Sequence, residues 1–159
     1  MTQPPPRRAA FDSPQQEVFL NLWRTYDRLR ALEEELFGRY ELTPQQYNAL
    51  RLLRAARSEG LPTLSLADRL VSRAPDITRL LDKLEQRGLV ARVRPAENRR
   101  VVRVAITDAG LGLLKELAGP LRDCHARQLG HLTAEQRREL VELLRAARAP
   151  HEEPDSSWG

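Results

Sequence analysis

The stretch SRAPDITRLLDKLEQRGLVARVRPAENRRVVRVAIT, residues 72–107, decides the fold of this chain. Its first half carries apolar residues at the three-and-four spacing of a one-sided helix, which predicts a helix over 75–87. These residues are Ile77, Leu80, Leu81 and Leu84. Gly88 ends the predicted helix. The apolar period then changes to two over residues 89–94 and 101–106, with a polar, basic loop between them, and this change predicts a two-stranded hairpin.

Other helices are predicted on both sides of this stretch. Three of them begin with a Ser or Thr cap and a Gln at the third helical position that reaches back to the cap. The three signatures start at Ser13, Thr43 and Thr133. A short helix is predicted at 64–70. A long helical pattern follows Asp108, and Pro120 should kink or interrupt it.

Length and composition indicate one domain. The chain has 159 residues, of which 41% are apolar, enough for one sizeable core. No apolar run approaches the ~20 residues of a membrane span, and the N-terminal MTQPPPRRAA lacks the apolar stretch of a secretory signal. One cysteine excludes an intrachain disulfide framework and a cysteine-based zinc site. We therefore expect a cytoplasmic protein with no metal, no cofactor and no membrane partner.

Positive charge is concentrated in one segment. The net charge is +4, and residues 87–103 alone carry six arginines and one acid, Glu97. The rest of the chain therefore sums to −1. A basic stripe on a nearly neutral body indicates contact with a polyanion. The sequence has no phosphate-binding glycine loop, no nucleophile elbow and no paired histidine and acid, so we expect no enzyme.

The order helix, turn, helix and hairpin is that of a winged helix-turn-helix, so the predicted fold is mainly α with a small β-hairpin wing. A helix over 75–87 fits the major groove of DNA, where arginine, lysine and threonine contact base edges or phosphates. The candidate DNA-binding residues are Arg73, Asp76, Thr78, Arg79, Lys83, Asn98, Arg99 and Arg100. Arg73 lies in the turn, and Arg99 and Arg100 lie at the wing tip, where they reach a minor groove or its phosphates.

Several of these residues have a second interpretation. Arg79 and Lys83 can form a solvated face that pairs with neighbouring acids, namely Asp82, Glu85 or Asp76. Asp76 can accept from a cytosine amino group or cap the helix, and the sequence leaves both open. The arginines of the two strands are expected to lie on the strand face and strengthen the local field. They are Arg92, Arg94 and Arg103.

The runs SRAPDITRLLDKLEQRGLV (72–90) and ENRRVVRVAITDAG (97–110) resemble the MarR family of transcriptional regulators. The resemblance extends over about residues 13–148. It implies an obligate homodimer with interlocked terminal helices, bound to a pseudo-palindromic site in double-stranded DNA. It also implies repression that a small aromatic or phenolic effector relieves, for which the candidate pocket residues are Trp23, Tyr26 and Tyr47.

The proline-rich composition of both ends, together with the resemblance, leads to a domain organisation. Residues 1–12 and 149–159 are expected to be disordered tails around one domain at 13–148. The winged part covers about 43–107, and the dimerisation helices cover about 14–37 and 108–148. These flanking helices are rich in leucine, as burial against a partner subunit requires.

One position departs from the family pattern. The family usually has Asp-x-Arg at the wing tip, and this chain has Asn98-Arg99-Arg100. Asparagine accepts a hydrogen bond without the charge-assisted part, and Glu97 offers a substitute. Two alternatives to a ligand-controlled repressor stay open: a winged module for protein interaction or DNA architecture, and a redox sensor that uses Cys124.

Overall fold

The computed structural model describes residues 11–72, 76–156 and 158. Within these ranges the chain forms six α-helices, three short strands and two 3-10 turns. The helices are α1 (Pro14–Gly38), α2 (Pro44–Ala56), α3 (Thr63–Arg69), α4 (Ile77–Gln86), α5 (Asp108–Leu129) and α6 (Ala134–Arg148), and the strands are β1 (Leu61–Pro62), β2 (Val90–Val93) and β3 (Arg103–Ile106). The predicted mainly α, winged helix-turn-helix architecture is confirmed.

The predicted capping residues begin their helices, with one difference. Thr43 and Gln46 exchange hydrogen bonds of 3.1 and 3.0 Å, and Thr133 and Gln136 form the same reciprocal pair. Ser13 also caps α1, but Gln16 does not reach back to it. The Gln16 amide oxygen instead accepts from the backbone N–H of Asp12 at 2.6 Å. The first predicted capping box is therefore wrong in its second half, because the chain before the cap offers a nearer donor.

Helix α4 begins two residues later than predicted. Asp76 has an extended backbone and acts as the N-cap, since its Oδ1 accepts from the backbone N–H of Arg79 at 2.9 Å. Gly88 ends the helix as predicted, with φ +71°. The backbone N–H groups of Gly88 and Leu89 close the last turn on the carbonyls of Glu85 and Leu84, at 2.9 and 3.0 Å.

The wing contains one strand more than predicted. Strands β2 and β3 pair antiparallel from Val90–Ile106 to Val93–Arg103, which confirms the hairpin but makes its strands shorter than 89–94 and 101–106. The two-residue β1 pairs with the other side of β3, so the sheet order is β1-β3-β2. Two residues, one of them proline, show no periodicity, and the sequence therefore did not reveal β1.

One apolar core lies between the winged unit and the first half of α5. Its most deeply buried side chains come from both helices and strands. They are Phe37, Leu50, Leu53, Leu66, Leu81, Leu84, Val90, Val104 and Leu117. The core fixes the inner face of α4 and leaves the opposite face, with Arg79 and Lys83, exposed.

Helix α5 continues through Pro120, where the sequence predicted a kink or an interruption. The predicted interruption is wrong. Leu117, Leu121 and Cys124 are buried on both sides of the proline, and α5 packs along α1. The Gln128 amide also donates to the carbonyl oxygen of Leu29 in α1 at 2.9 Å. These contacts stabilise an uninterrupted α5 despite the missing N–H of the proline.

The chain after α6 continues as a short 3-10 turn, Ala149–His151. The Arg148 guanidinium carbon lies 4.5 Å from the centre of the Trp158 ring. None of the helices in the described ranges has both the length and the hydropathy that a membrane crossing requires.

Candidate nucleic-acid interface

The outer face of α4 carries two cations without intramolecular partners in the part of the chain that the structure describes. Arg79 and Lys83 are exposed and lie four residues apart, on the same side of the helix. Buried Leu81 and Leu84 hold the opposite side in the core. The face is therefore presented to solvent as one basic ridge.

The acids of α4 pair with the wing and not with this ridge. The Arg92 guanidinium lies 2.6 Å from the Asp82 carboxylate and 3.3 Å from the Glu85 carboxylate. The alternative in which Asp82 and Glu85 neutralise Arg79 and Lys83 is therefore not the observed arrangement. Because Asp82 and Glu85 pair with Arg92, their negative charges are directed away from Arg79 and Lys83.

Asp76 and Thr78 lie at the first turn of α4, and both are exposed. The Asp76 carboxylate caps the helix, as one of its two interpretations required. The carbonyl oxygen of Thr78 accepts from Arg92 at 3.3 Å. Base contacts by either residue stay a prediction. Arg73 lies outside the described residues.

The wing tip is a folded turn built around Asn98. Its side-chain oxygen accepts from the backbone N–H of Arg100 at 3.2 Å, and its carbonyl accepts from Val101 at 3.2 Å. The guanidinium of Arg94 donates to the carbonyl oxygen of Arg99 at 2.8 Å. Asn98 thus accepts a hydrogen bond within the turn through its own side chain, whereas no hydrogen bond of Glu97 is present among the described residues.

The turn leaves the guanidinium groups of Arg99 and Arg100 exposed. Neither has a side-chain partner within residues 11–72 and 76–156. Together with Arg79 and Lys83 they form what we call the free-cation set, four positive side chains on two neighbouring elements. A set of this kind can bind phosphates without first breaking an internal ion pair.

The other arginines of the basic stripe hold the fold. Arg103 donates to the carbonyl oxygens of Glu59 and Gly60, at 2.9 and 3.2 Å. Arg87 donates to those of Glu41 and Tyr40, at 2.7 and 3.1 Å. The prediction that Arg92 and Arg103 are strand-face charges is thereby corrected, because both reach across to other elements. Their partners are far away in sequence or separated by the turn at Gly88, so no local pattern indicated them.

The three candidate pocket aromatics lie on two different helices. Trp23 and Tyr26 lie on the first half of α1 and are 61% and 60% exposed. Tyr47 lies on α2 and stacks on Phe37, with 4.7 Å between ring centres. Burial raises the pKa of the Tyr47 hydroxyl above its ordinary value. A small cavity of about 220 Å³ lies elsewhere, between α1 and α5. The assignment of an effector pocket to the three aromatics stays a prediction.

Cys124 lies on α5 and is buried. Burial is the main cause that raises the pKa of its thiol, and the negative charge of Glu33 adds to it. The neutral thiol is a poor nucleophile. The position favours a packing role over the redox role that the sequence left open.

The chain is similar to known proteins over most of its length. The family model described as "MarR family" matches residues 42–102. The crystal structure of a MarR transcription factor from Planctomyces limnophilus is 60% identical in sequence and covers 86% of this chain and 99% of its own, with a TM-score of 0.67. This chain belongs to the MarR family.

Two further MarR-type relatives are more distant. The homoprotocatechuate degradative operon repressor of Escherichia coli is 29% identical over 106 residues, which are 67% of this chain and 70% of that protein. Sco3205, a MarR family regulator from Streptomyces coelicolor whose crystal structure contains DNA, is 19% identical. It covers 96% of this chain and 98% of its own, with a TM-score of 0.81, and at this identity it shows the shared fold. The 60% identity with the Planctomyces limnophilus transcription factor, together with the family match, identifies this chain as a transcriptional regulator.

Proposed function

We propose that this MarR-family regulator binds a pseudo-palindromic site in double-stranded DNA as a homodimer and represses transcription. The free-cation set carries the proposal. Arg79 and Lys83 on α4 face the major groove, and Arg99 and Arg100 at the wing tip face a minor groove or its phosphates. Arg73, Asp76, Thr78 and Asn98 complete the proposed interface, Asp76 through its cap and Asn98 through the turn it forms. The DNA in the crystal of the Streptomyces coelicolor regulator supports the same partner.

The homodimer is supported by an apolar face that the protomer leaves open. The first half of α1 exposes six large apolar side chains, and five of them lie within about 140° of the helix circumference. These five are Val18, Phe19, Leu22, Trp23 and Tyr26, and the sixth, Leu20, lies outside this arc. Helix α6 has no buried residue and exposes Leu143. A contiguous apolar surface of this kind indicates a protein interface. A second copy of the chain covers it by symmetry and places two α4 helices about 34–36 Å apart, at successive major grooves.

Effector control is the finer part of the proposal. A small aromatic or phenolic molecule that binds better to a dimer with another α4 separation would shift the population and release DNA. The Escherichia coli relative represses the homoprotocatechuate degradative operon, which supports a phenolic effector. Trp23 and Tyr26 on the dimer-forming half of α1 would then line a site only when the partner subunit is present, with Tyr47 on the winged side.

Selection of duplexes from a random pool by the purified protein, repeated over a range of salt concentrations, tests the function. Enrichment of an inverted repeat with half-sites one helical turn apart is the expected result. Arg79→Ala should weaken binding of the selected duplex by about 1–3 kcal/mol and relax the preference at one base position. Arg122→Ala on α5, which removes an equal charge from an exposed site outside the winged unit, serves as the control.

Two results would contradict the proposal. Salt-sensitive binding without an enriched sequence would indicate an architectural module. No binding at any salt concentration would indicate a winged module for protein interaction.

A separate experiment tests effector control. Members of a panel of phenols and benzoates are added to the selected complex, and release of the duplex is measured by fluorescence anisotropy. A dimer that keeps its duplex at millimolar concentrations of every member would contradict that part alone.

A further inference from the structure

Arg92 is the most extensively bonded side chain of the wing. Its Nη1 contacts Asp82 at 2.6 Å and Glu85 at 3.3 Å, and its Nη2 donates to the carbonyl oxygen of Thr78 at 3.3 Å. Its backbone N–H donates to the second oxygen of Glu85 at 3.1 Å. The side chain is only 24% exposed. All four bonds run from one residue of β2 to one helix.

The partners of Arg92 span α4. Thr78, Asp82 and Glu85 lie at i, i+4 and i+7, so they form one stripe along the side of the helix that faces the wing. Seven residues correspond to about 10 Å of helix. Because α4 has ten residues, Arg92 holds most of its length and not a single point.

The backbone bond gives the joint a second part. The order β1-β3-β2 places β2 at the edge of the sheet, where alternate backbone N–H groups lack a partner strand. Glu85 supplies that missing partner for Arg92. The helix is thus attached to the sheet edge through both the side chain and the main chain of one residue.

We propose that Arg92 is a positioning residue that makes α4 and the wing one rigid DNA-reading unit. The proposal rests on the proposed function, in which the two elements contact one duplex together. Two carboxylates surround the single guanidinium, so the cluster has an excess of one negative charge and adds no attraction for phosphate. Arg92 acts by fixing the distance and angle between Arg79 on α4 and Arg99 on the wing. A fixed arrangement avoids the ordering cost of placing each element separately at binding.

Arginine is required for this role. The planar guanidinium donates to several acceptors from fixed directions, whereas lysine presents one compact charge. Arg92→Lys therefore keeps the charge and the main-chain bond to Glu85 but loses the fixed set of side-chain bonds to α4. Arg92→Gln loses both the charge and this set of side-chain bonds. The pair separates positioning from long-range attraction, because an electrostatic role predicts that the lysine variant behaves like the original protein.

The first measurement is hydrogen exchange without DNA. Arg92→Lys should speed exchange together in α4 and in residues 90–101. Arg103→Lys is the matched control, because Arg103 is also half-buried in the sheet but donates to Glu59 and Gly60 on the side away from α4. Unchanged exchange in Arg92→Lys, or the same change in Arg103→Lys, would overturn the joint whether or not the protein binds DNA.

The second measurement is affinity for the selected duplex. Arg92→Lys and Arg92→Gln should both lose about tenfold, the effect expected for one lost set of charge-assisted hydrogen bonds. In the Arg92→Lys background, Arg99→Ala should reduce the affinity by a much smaller factor than it does in the original protein, since the wing is no longer held in place. If Arg92→Lys only destabilised the fold, Arg99→Ala would reduce the affinity by the same factor in both backgrounds. Lysine that restores full affinity, or full additivity of the two substitutions, would overturn the proposal. If the original protein bound no duplex, the proposed function would fail and the exchange result would still decide the joint.

Discussion

The salt dependence of DNA binding follows from which cations are free. The free-cation set has four members in each protomer, so a dimer brings about eight free cations to the duplex. If each of them neutralises one phosphate, the expected slope of log K against log salt is about −7. Arg73, outside the described residues, would bring the slope to about −9 as a fifth contact in each protomer. If every arginine of 87–103 reached phosphate beside Arg79 and Lys83, sixteen contacts would give about −14.

These slopes differ enough to be separated in one experiment. Between 50 and 200 mM salt, a slope of −7 means a loss of roughly 10⁴-fold in affinity, whereas −14 means more than roughly 10⁸-fold. Fluorescence anisotropy of the selected duplex over this range measures the slope directly. A value near −14 would refute the reasoning, because it would show that arginines bonded to carboxylates and carbonyls inside the protein also bind phosphate.

A double substitution tests whether the two wing-tip arginines contact DNA phosphates. Arg99→Ala with Arg100→Ala removes four contacts from the dimer and should reduce the slope from about −7 to about −4. Arg99→Lys with Arg100→Lys keeps the charges and should keep the slope. An unchanged slope in the alanine variant would place the wing tip away from the duplex.

Three further predictions concern the scaffold. Arg57 has φ +56° and ψ −149°, a conformation that is almost restricted to glycine. Arg57→Gly should therefore stabilise the fold by about 1 kcal/mol, because the backbone strain that is relieved exceeds the entropy that glycine loses on folding. Urea denaturation measures this, and a destabilised variant would contradict the strain. Trp23→Asp should convert the dimer to a monomer, and light scattering measures the mass of the particle. Leu64→Asp, at an exposed apolar site on α3, is the control and should leave the dimer intact. A dimeric Trp23→Asp variant would place the interface elsewhere. Because the pKa of the Cys124 thiol is raised, iodoacetamide should react appreciably only above the ordinary thiol pKa of about 8.5, and Cys124→Ser should leave DNA binding unchanged under peroxide. Fast alkylation at neutral pH would favour the redox alternative.

Most of the element boundaries could be predicted from sequence because their signals are local. The boxes at Thr43 and Thr133 each involve residues three apart, and Gly88 marks its turn by its own backbone freedom. The predictions fail where a neighbour outside the pattern intervenes. The backbone N–H of Asp12 donates to the side-chain oxygen of Gln16, so this oxygen does not reach Ser13. The packing of α1 against α5 stabilises a continuous α5 through Pro120.

The candidate site was predicted less completely than the fold. The sequence correctly placed Arg79 and Lys83 on an exposed helix face and Arg99 and Arg100 at a hairpin tip. It could not tell which of the basic residues are free. The pairing of Arg92 with Asp82 and Glu85 joins residues ten and seven positions apart, on two elements whose relative direction depends on the turn at Gly88.

The sequence by itself therefore determined the order of the elements, the winged helix-turn-helix and the resemblance to the MarR family, since capping, periodicity and motifs act within a few residues. Only the tertiary structure decided the function of each arginine in the basic stripe. Arg87 and Arg103 bind carbonyl oxygens of distant loops, and Arg94 binds the carbonyl oxygen of Arg99 within the wing turn. Arg92 binds two carboxylates of α4, and the guanidinium groups of Arg99 and Arg100 stay exposed. The physical reason is that a guanidinium can donate to phosphate only if no partner within the protein already holds it, and these partners are set by folding.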